Sequence, residues 1–475
     1  MTTLRLHNPF SGELVFSEDS ESFETVNDKV NRAQAASQKW RDLSAATRAD
    51  LVEKALSYFE THKDDIATGI AREMGKPKTA AQQEIDFMIE RAQYMCRFAR
   101  DGALEAQDQS TYNDNGFEGW LENRAKGVVY IITPWNYPLF CAINGTVCAL
   151  LSGSAVVLKH TTTPSVGAHF QKAFGTLGDV EGLLHNVSID YDISARLIEE
   201  TDINHVIFTG SVQGGRIIQK SVAKRTFNDV AYPFIESSLE LGSSDAAYIA
   251  QDADLDEAVL WAVKIGRLHN SGQSCCAVKR VFVHESLHDA FVEKAREVME
   301  AEINGDPMDP QTTLGPLFGG AAPVNRLMAL VDDATRKGAK VVCGGETEEI
   351  DQALFIKPTL LSNVSADMDV LNEETFGPVL PVVKVSSDDE AMDMVKRTKF
   401  GLTAAIFTAS RERAMRYIAA MEAGTVYVNR CNFVDARLGW IGQKMSGNGA
   451  VSLSPQGLSA ISATKSVNID PSNLS

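Results

Sequence analysis

Gly127-Val128-Val129-Tyr130-Ile131-Ile132-Thr133-Pro134-Trp135-Asn136-Tyr137-Pro138 is the stretch on which the fold turns. Its first half is a short apolar, β-branched run without polar alternation, which predicts a buried strand. Two prolines then stiffen the loop that follows. The runs at 155–159 and 205–209 repeat the strand pattern, with helical segments between them, as parallel βαβ units require. Upstream, residues 22–110 read as mostly helical. One amphipathic stretch opens at Val26 and another covers 48–62, and Met74-Gly75-Lys76-Pro77 is a stop signal. A second α/β pattern begins near Glu240, with strands expected at 247–250, 280–283, 340–343 and 424–429. A helix is expected from Asp254 to His269. No repeat, low-complexity segment or long Gly/Ser or Pro linker appears, so the units are expected to share a substantial interface.

Composition narrows the class. The chain has 475 residues, 44% hydrophobic and 23% charged, which suits a multidomain globular protein. Its formal charge of −18 and pI near 5.0 argue against nucleic acid and against an anionic membrane surface, since both need a basic face. No apolar run is long enough to span a bilayer, and the first ten residues lack the core of a signal peptide. The seven cysteines are scattered, with no zinc-type spacing, so a reducing cytoplasm and no metal are expected.

Three groups could together process a carbonyl carbon. Cys275, in Gly272-Gln273-Ser274-Cys275-Cys276, follows a turn-like segment that could expose its sulfur and aim its own N–H at an oxyanion. Glu240 lies at the junction of the two α/β patterns, where clefts form. Asn136 sits in the proline-braced loop, where a side-chain amide is a neutral oxyanion donor. Each has a plainer reading: adjacent buried thiols, a solvated Glu, an Asn bonding its own turn. Spacing alone does not separate Glu240 from Glu236.

The order Pro134-Trp135-Asn136-Tyr137-Pro138, Glu240-Leu241-Gly242, Gly272-Gln273-Ser274-Cys275 resembles the aldehyde dehydrogenase superfamily, and the likeness runs from about residue 8 to 469. The resemblance implies two parallel-sheet α/β domains plus a β-ribbon oligomerisation arm. The dinucleotide-binding domain would be 1–112 and 127–239, the catalytic domain 240–454, and the arm 113–126 with 455–475. It implies Cys275 as nucleophile, Asn136 as oxyanion donor and Glu240 as the base for deacylation; Cys276 reads as a packing or spectator thiol. Ser243 departs from the second Gly of the family's E-L-G-G.

The same resemblance places NAD or NADP on Trp135, Lys159, Thr162, Gly210, Ser211, Gly215, Glu374 and Phe376. Phe208-Thr209-Gly210-Ser211 reads independently as a strand and turn entering a helix, a geometry suited to pyrophosphate. Thr162 stands where NAD-preferring relatives carry Glu, which removes repulsion against a ribose 2′-phosphate. His160 resembles the shorter bacterial succinate-semialdehyde dehydrogenases. The expected substrate is a small-molecule aldehyde with an anionic or polar tail, contacted by Tyr137, Arg267, His269, Arg430 and Arg437. Residues 441–450 lack the Arg-Glu that usually follows. A homodimer or homotetramer is implied. A CoA-acylating enzyme would use the same Cys without a deacylating base, and a silent homologue would have lost one of the three groups.

Overall fold

The computed structural model describes residues 2–108 and 118–473. The helical start is as expected: Phe23–Trp40, Ala45–Thr61, Lys63–Met74 and Lys78–Arg100. Ser22 and Ser44 cap the first two by accepting from Thr25 N and Thr47 N. Gly75, at φ 81, ends the third in the left-handed conformation that glycine adopts without strain. A hairpin of Thr3–His7 and Leu14–Asp19 precedes them, which the sequence pattern had not suggested.

The first sheet runs in the order Gly447–Asn448, Glu236–Glu240, His205–Thr209, Val128–Ile132, Ala155–Lys159, Leu184–Val187. All pairings are parallel except that of Gly447–Asn448. Every residue of Val128–Ile132 and Ala155–Lys159 is buried, because helices cover both faces; that is why these strands read as unbroken apolar runs. The second sheet has seven strands, with Arg280–His284 and Ala246–Ile249 near its centre and Lys340–Cys343 as its one antiparallel member. The chain is therefore α/β, with two largely parallel sheets. Helices of the described residues are all too short or too polar to cross a membrane.

A third sheet pairs Ser462–Ile469 with Glu118–Ala125 along their whole length, and Gln107–Asp108 joins the far edge. These are the two stretches expected to form an arm; its residues 113–117 lie outside the described residues. The stretch 440–461 leaves the second sheet altogether. Trp440, Leu453, Leu458 and Ile461 pack into the core of the first.

The helix expected from Asp254 to His269 is instead a short α-helix, Leu255–Val259, followed by a π-helix, Leu260–Leu268. π-Turns cluster at functional sites, and this one feeds the Cys275 turn.

The two sheets meet where the chain passes from Glu240 to Ala246. Lys279, 1% exposed, sits beneath this crossing. Its ammonium donates to Cys275 O at 2.6 Å, Ser243 Oγ at 2.9 Å and Ser274 O at 3.0 Å, and lies 3.7 Å from Glu374 Oε1. A buried cation is tolerated only with such saturation. Lys279→Met should leave these acceptors unpaired and destabilise the fold by about 3 kcal/mol, read as a shifted midpoint in urea unfolding.

Candidate active site

The turn that leads to Cys275 is built from unusual backbone. Asn270, Ser271 and Gly272 hold φ of 55, 54 and 73°, three successive left-handed residues. Side-chain ties support them: Ser271 Oγ donates to Gly315 O at 2.9 Å, and Phe318 N donates to Gln273 Oε1 at 2.9 Å. A Cβ on Gly272 would stand 2.4 Å from Gly377 O, so only glycine fits. This geometry delivers Cys275 half-buried and Cys276 buried. Cys276 Sγ donates to Asn432 Oδ1 at 3.1 Å. Among the described residues the Cys275 N–H has no acceptor. Contact with the Cys276 thiol, then burial, hold the Cys275 thiol well above its usual range, while Lys279 pulls it down.

Asn136 is buried in the loop after Val128–Ile132. Its Nδ2 donates to Gln273 O at 3.1 Å, and its own carbonyl accepts from Asn270 Nδ2 at 2.9 Å. One amide hydrogen is thus engaged in locking the loop to the cysteine turn, and an amide has a second. The loop is also anchored from behind. Glu84 Oε1 accepts from Leu139 N at 3.0 Å and Phe140 N at 3.2 Å, the first turn of helix Pro138–Leu151, and its other oxygen pairs with buried Lys76.

Glu240 ends its strand with its carboxylate held at both oxygens. Trp440 Nε1 donates to Oε2 at 3.0 Å and Ser452 Oγ to Oε1 at 2.8 Å. Burial lifts its pKa to about 7, against the pull of those two donors and of Arg91. The departure at Ser243 has a structural role: its hydroxyl donates to Cys275 O and accepts from Lys279, and its N–H donates to Glu374 Oε1 at 2.9 Å.

Several features suit a dinucleotide. Helix Val212–Arg225 starts at the end of the first sheet with Ser211 as its cap; Ser211 Oγ accepts from Gly214 N at 3.0 Å and keeps its own proton to donate. A Cβ on Gly215 would press on the Leu241 side chain at 2.8 Å, and one on Gly210 on Phe208 at 2.5 Å. Lys159 is buried, and its Nζ donates to Thr161 Oγ1 at 2.8 Å; burial lowers it to about 8. Thr162 Oγ1 is buried with no partner, an unsatisfied polar atom that a ligand could complete. Trp135 stacks on Phe318 at 4.5 Å and meets Phe376 edge-on at 5.7 Å. Glu374 faces Ser243 and Lys279.

The expected substrate contacts divide. Tyr137 OH bonds His269 Nδ1 at 2.6 Å, with Lys76 Nζ 4.3 Å over the tyrosine ring. Desolvation by the surrounding protein, then the Lys76 charge, lowers the His269 imidazole. Arg267 lies elsewhere than expected. It is fully buried, and its guanidinium donates to Gly272 O, Val278 O, Thr375 O and Thr375 Oγ1, which makes it a brace of the cysteine turn. Arg437 grips Asp435 through two bonds of 2.9 and 2.6 Å. Arg430 stacks on Phe433 at 4.0 Å, and its Nε is buried without a partner.

Sequence reasoning missed Lys279, Trp440, Ser452 and Arg91. Arg91, buried on helix Lys78–Arg100, donates to Asn144 Oδ1 at 3.0 Å and lies 4.2 Å over Phe140. Only the phase of that helix's apolar face could have marked it.

Comparison with known proteins agrees with this geometry. The aldehyde dehydrogenase family model matches residues 1–467. Retinaldehyde dehydrogenase 3 of Mus musculus is 32% identical over 93% of this chain and 85% of its own length. The NADP(+) succinate-semialdehyde dehydrogenase of Deinococcus radiodurans is 32% identical over 93% and 90%. The crystal structure of Escherichia coli lactaldehyde dehydrogenase superposes with a TM-score of 0.91 at 31% identity, covering 99% of this chain and 96% of that one. With the cysteine, amide and carboxylate motifs in one fold, the chain belongs to the aldehyde dehydrogenase family.

Proposed function

We propose that this enzyme oxidises an aldehyde to its carboxylate with NAD or NADP, through a thioester on Cys275. The Cys275 N–H, without an acceptor among the described residues and on the turn to which the Asn136 amide is tied through Gln273 O, carries the reading, because the two could serve as donors to one oxygen. Cys275 gives its proton to solvent, and its thiolate adds to the aldehyde carbon as the C=O π pair moves to the oxygen. Asn136 and the Cys275 N–H hold the resulting oxyanion. NAD or NADP, held by the residues named below, would supply the acceptor for the hydride that leaves the former aldehyde carbon. Glu240 then removes a proton from the water that releases the acid. A CoA-acylating enzyme would have no use for a half-buried carboxylate poised near neutrality, and a silent homologue would not retain all three groups.

Trp135, Lys159, Thr162, Gly210, Ser211, Gly215, Glu374 and Phe376 would hold the cofactor, and the unpartnered Thr162 hydroxyl fits a ribose oxygen or phosphate. With no carboxylate at 162, NADP is accepted. The relatives named above act on retinaldehyde, succinate semialdehyde and lactaldehyde by name, so the tail is decided locally. Arg430, a guanidinium without an ion-pair partner among the described residues, supports an anionic or polar tail. The paired ribbon strands, together with Phe227 and Phe234 at 90 and 83% exposure, support a homodimer or homotetramer. Seven free cysteines support a reducing cytoplasm.

The test is nicotinamide reduction with succinic semialdehyde, butanal and benzaldehyde, each with NAD and NADP. Cys275→Ala should abolish it with every aldehyde; residual turnover would refute the thioester. Asn136→Ala should slow the first turnover about a hundredfold. Glu240→Gln should accumulate an acyl-enzyme visible by mass, and the wild-type deacylation rate should climb with pH through about 7 as the carboxylate ionises.

Thr162→Glu should cut kcat/KM for NADP at least about tenfold relative to NAD, through like-charge repulsion. Equal effects on both cofactors would displace Thr162 from the ribose site. Arg430→Ala should raise KM for succinic semialdehyde and leave that for butanal unchanged.

A further inference from the structure

We propose that Trp440 and Ser452 are positioning residues that hold the Glu240 carboxylate in place as the deacylating base. The proposal rests on the reading of Glu240 as that base. Its ground is a two-point grip: one donor to each carboxylate oxygen, both delivered by a single structural unit.

That unit is an isolated antiparallel bridge. Trp440 N donates to Ser452 O at 2.8 Å and Ser452 N to Trp440 O at 3.0 Å, so the two donors are fixed relative to each other. The Ser452 hydroxyl has two acceptors in reach, and Glu240 Oε1 at 2.8 Å is nearer than Trp440 O at 3.2 Å. Between the two residues the chain passes along Glu240's own strand, where Gly447 pairs with Glu240 and Asn448 with Leu239. Ser446 locks the return: Leu241 N donates to its carbonyl, and its hydroxyl donates to Gly242 O, both at 2.8 Å. Base and clamp therefore cannot drift apart without unpairing a strand.

Backbone conformation also points to a constraint here. Leu453, directly after Ser452 and fully buried, holds φ 64 and ψ 174, and Ser454 holds φ 62. This is territory that side chains avoid. It seats Leu453 in the core while turning Ser452 toward Glu240. The stretch is the one without the Arg-Glu, and the two donors hydrogen-bonded to Glu240 from it are neutral.

Two roles follow from the hydrogen bonds. They fix the direction of the carboxylate, and they favour its ionised form. The other groups facing Glu240 are Arg91 on helix Lys78–Arg100, which also favours ionisation, and the Cys141 and Cys148 thiols on helix Pro138–Leu151. Neither variant below touches these.

The experiment compares first-turnover nicotinamide reduction with the steady-state rate across the neutral pH range. It uses the full chain with NADP and succinic semialdehyde, or butanal if that turns over faster. Trp440→Phe keeps the ring and deletes the N–H; Ser452→Ala deletes the hydroxyl. Each should keep the first turnover, slow the steady state about tenfold or more, and move the acid limb to higher pH. Ser452→Thr should restore both. Trp440→Phe decides the matter if Ser452→Ala fails to fold. A limb left in place with an unchanged ratio of the two rates, or a parallel loss in both phases, would overturn the clamp. Glu240→Gln separates the two readings. If it accumulates acyl-enzyme while the donor variants do not, only the clamp fails; if it turns over like wild type, the base itself is misassigned.

Discussion

A single buried ammonium decides how this molecule can be arranged. Lys279 cannot remain charged in the interior without acceptors on every side. It finds them on the turn that carries Cys275 and on Ser243, and stands beside Glu374. These groups come from three separate stretches of chain. Satisfying one cation therefore brings together the Cys275 turn, the crossing between the two sheets and the Glu-Glu-Thr-Phe-Gly-Pro loop. The same charge lies close enough to Cys275 to favour its thiolate. Ser243 belongs to this arrangement. In place of a second glycine it supplies a hydroxyl that passes a hydrogen bond from Lys279 to the Cys275 carbonyl, and this ties the crossing to the turn.

The buried strands were legible because burial on both faces leaves a mark that local chemistry can read. Val128–Ile132, Ala155–Lys159 and His205–Thr209 are apolar without alternation, and they lie side by side in the first sheet. The opening hairpin was not legible. Its strands are exposed or half-buried throughout, so no apolar pattern sets them apart from a loop. The π-helix was not legible either. Apolar spacing in residues 254–269 fits helix in general and does not distinguish the wider π turn of Leu260–Leu268.

At the site, motif order singled out Cys275, Asn136 and Glu240, and the fold offers each of them suitable partners. Charge alone misled the reading of the arginines. An arginine near Cys275 looks the same in sequence whether it awaits an anionic ligand or braces the backbone. Arg267 braces it: its acceptors are main-chain carbonyls and one threonine hydroxyl, which no residue pattern announces. Arg437 is neutralised by Asp435 two residues earlier, a pairing that the local sequence did contain.

The late segment shows why a degraded motif need not mean a degraded site. For Glu240 to act as the base proposed above, the physical requirement is only that a carboxylate near neutrality be aimed and kept from wandering. Here the chain meets that requirement by pairing Gly447–Asn448 with Leu239–Glu240 and bringing an indole and a hydroxyl to the two oxygens. Neutral donors favour the ionised carboxylate less than a cation in contact would, and burial works against them. The resulting balance, near pH 7, would suit the proposed base, which takes a proton from water and then gives it up.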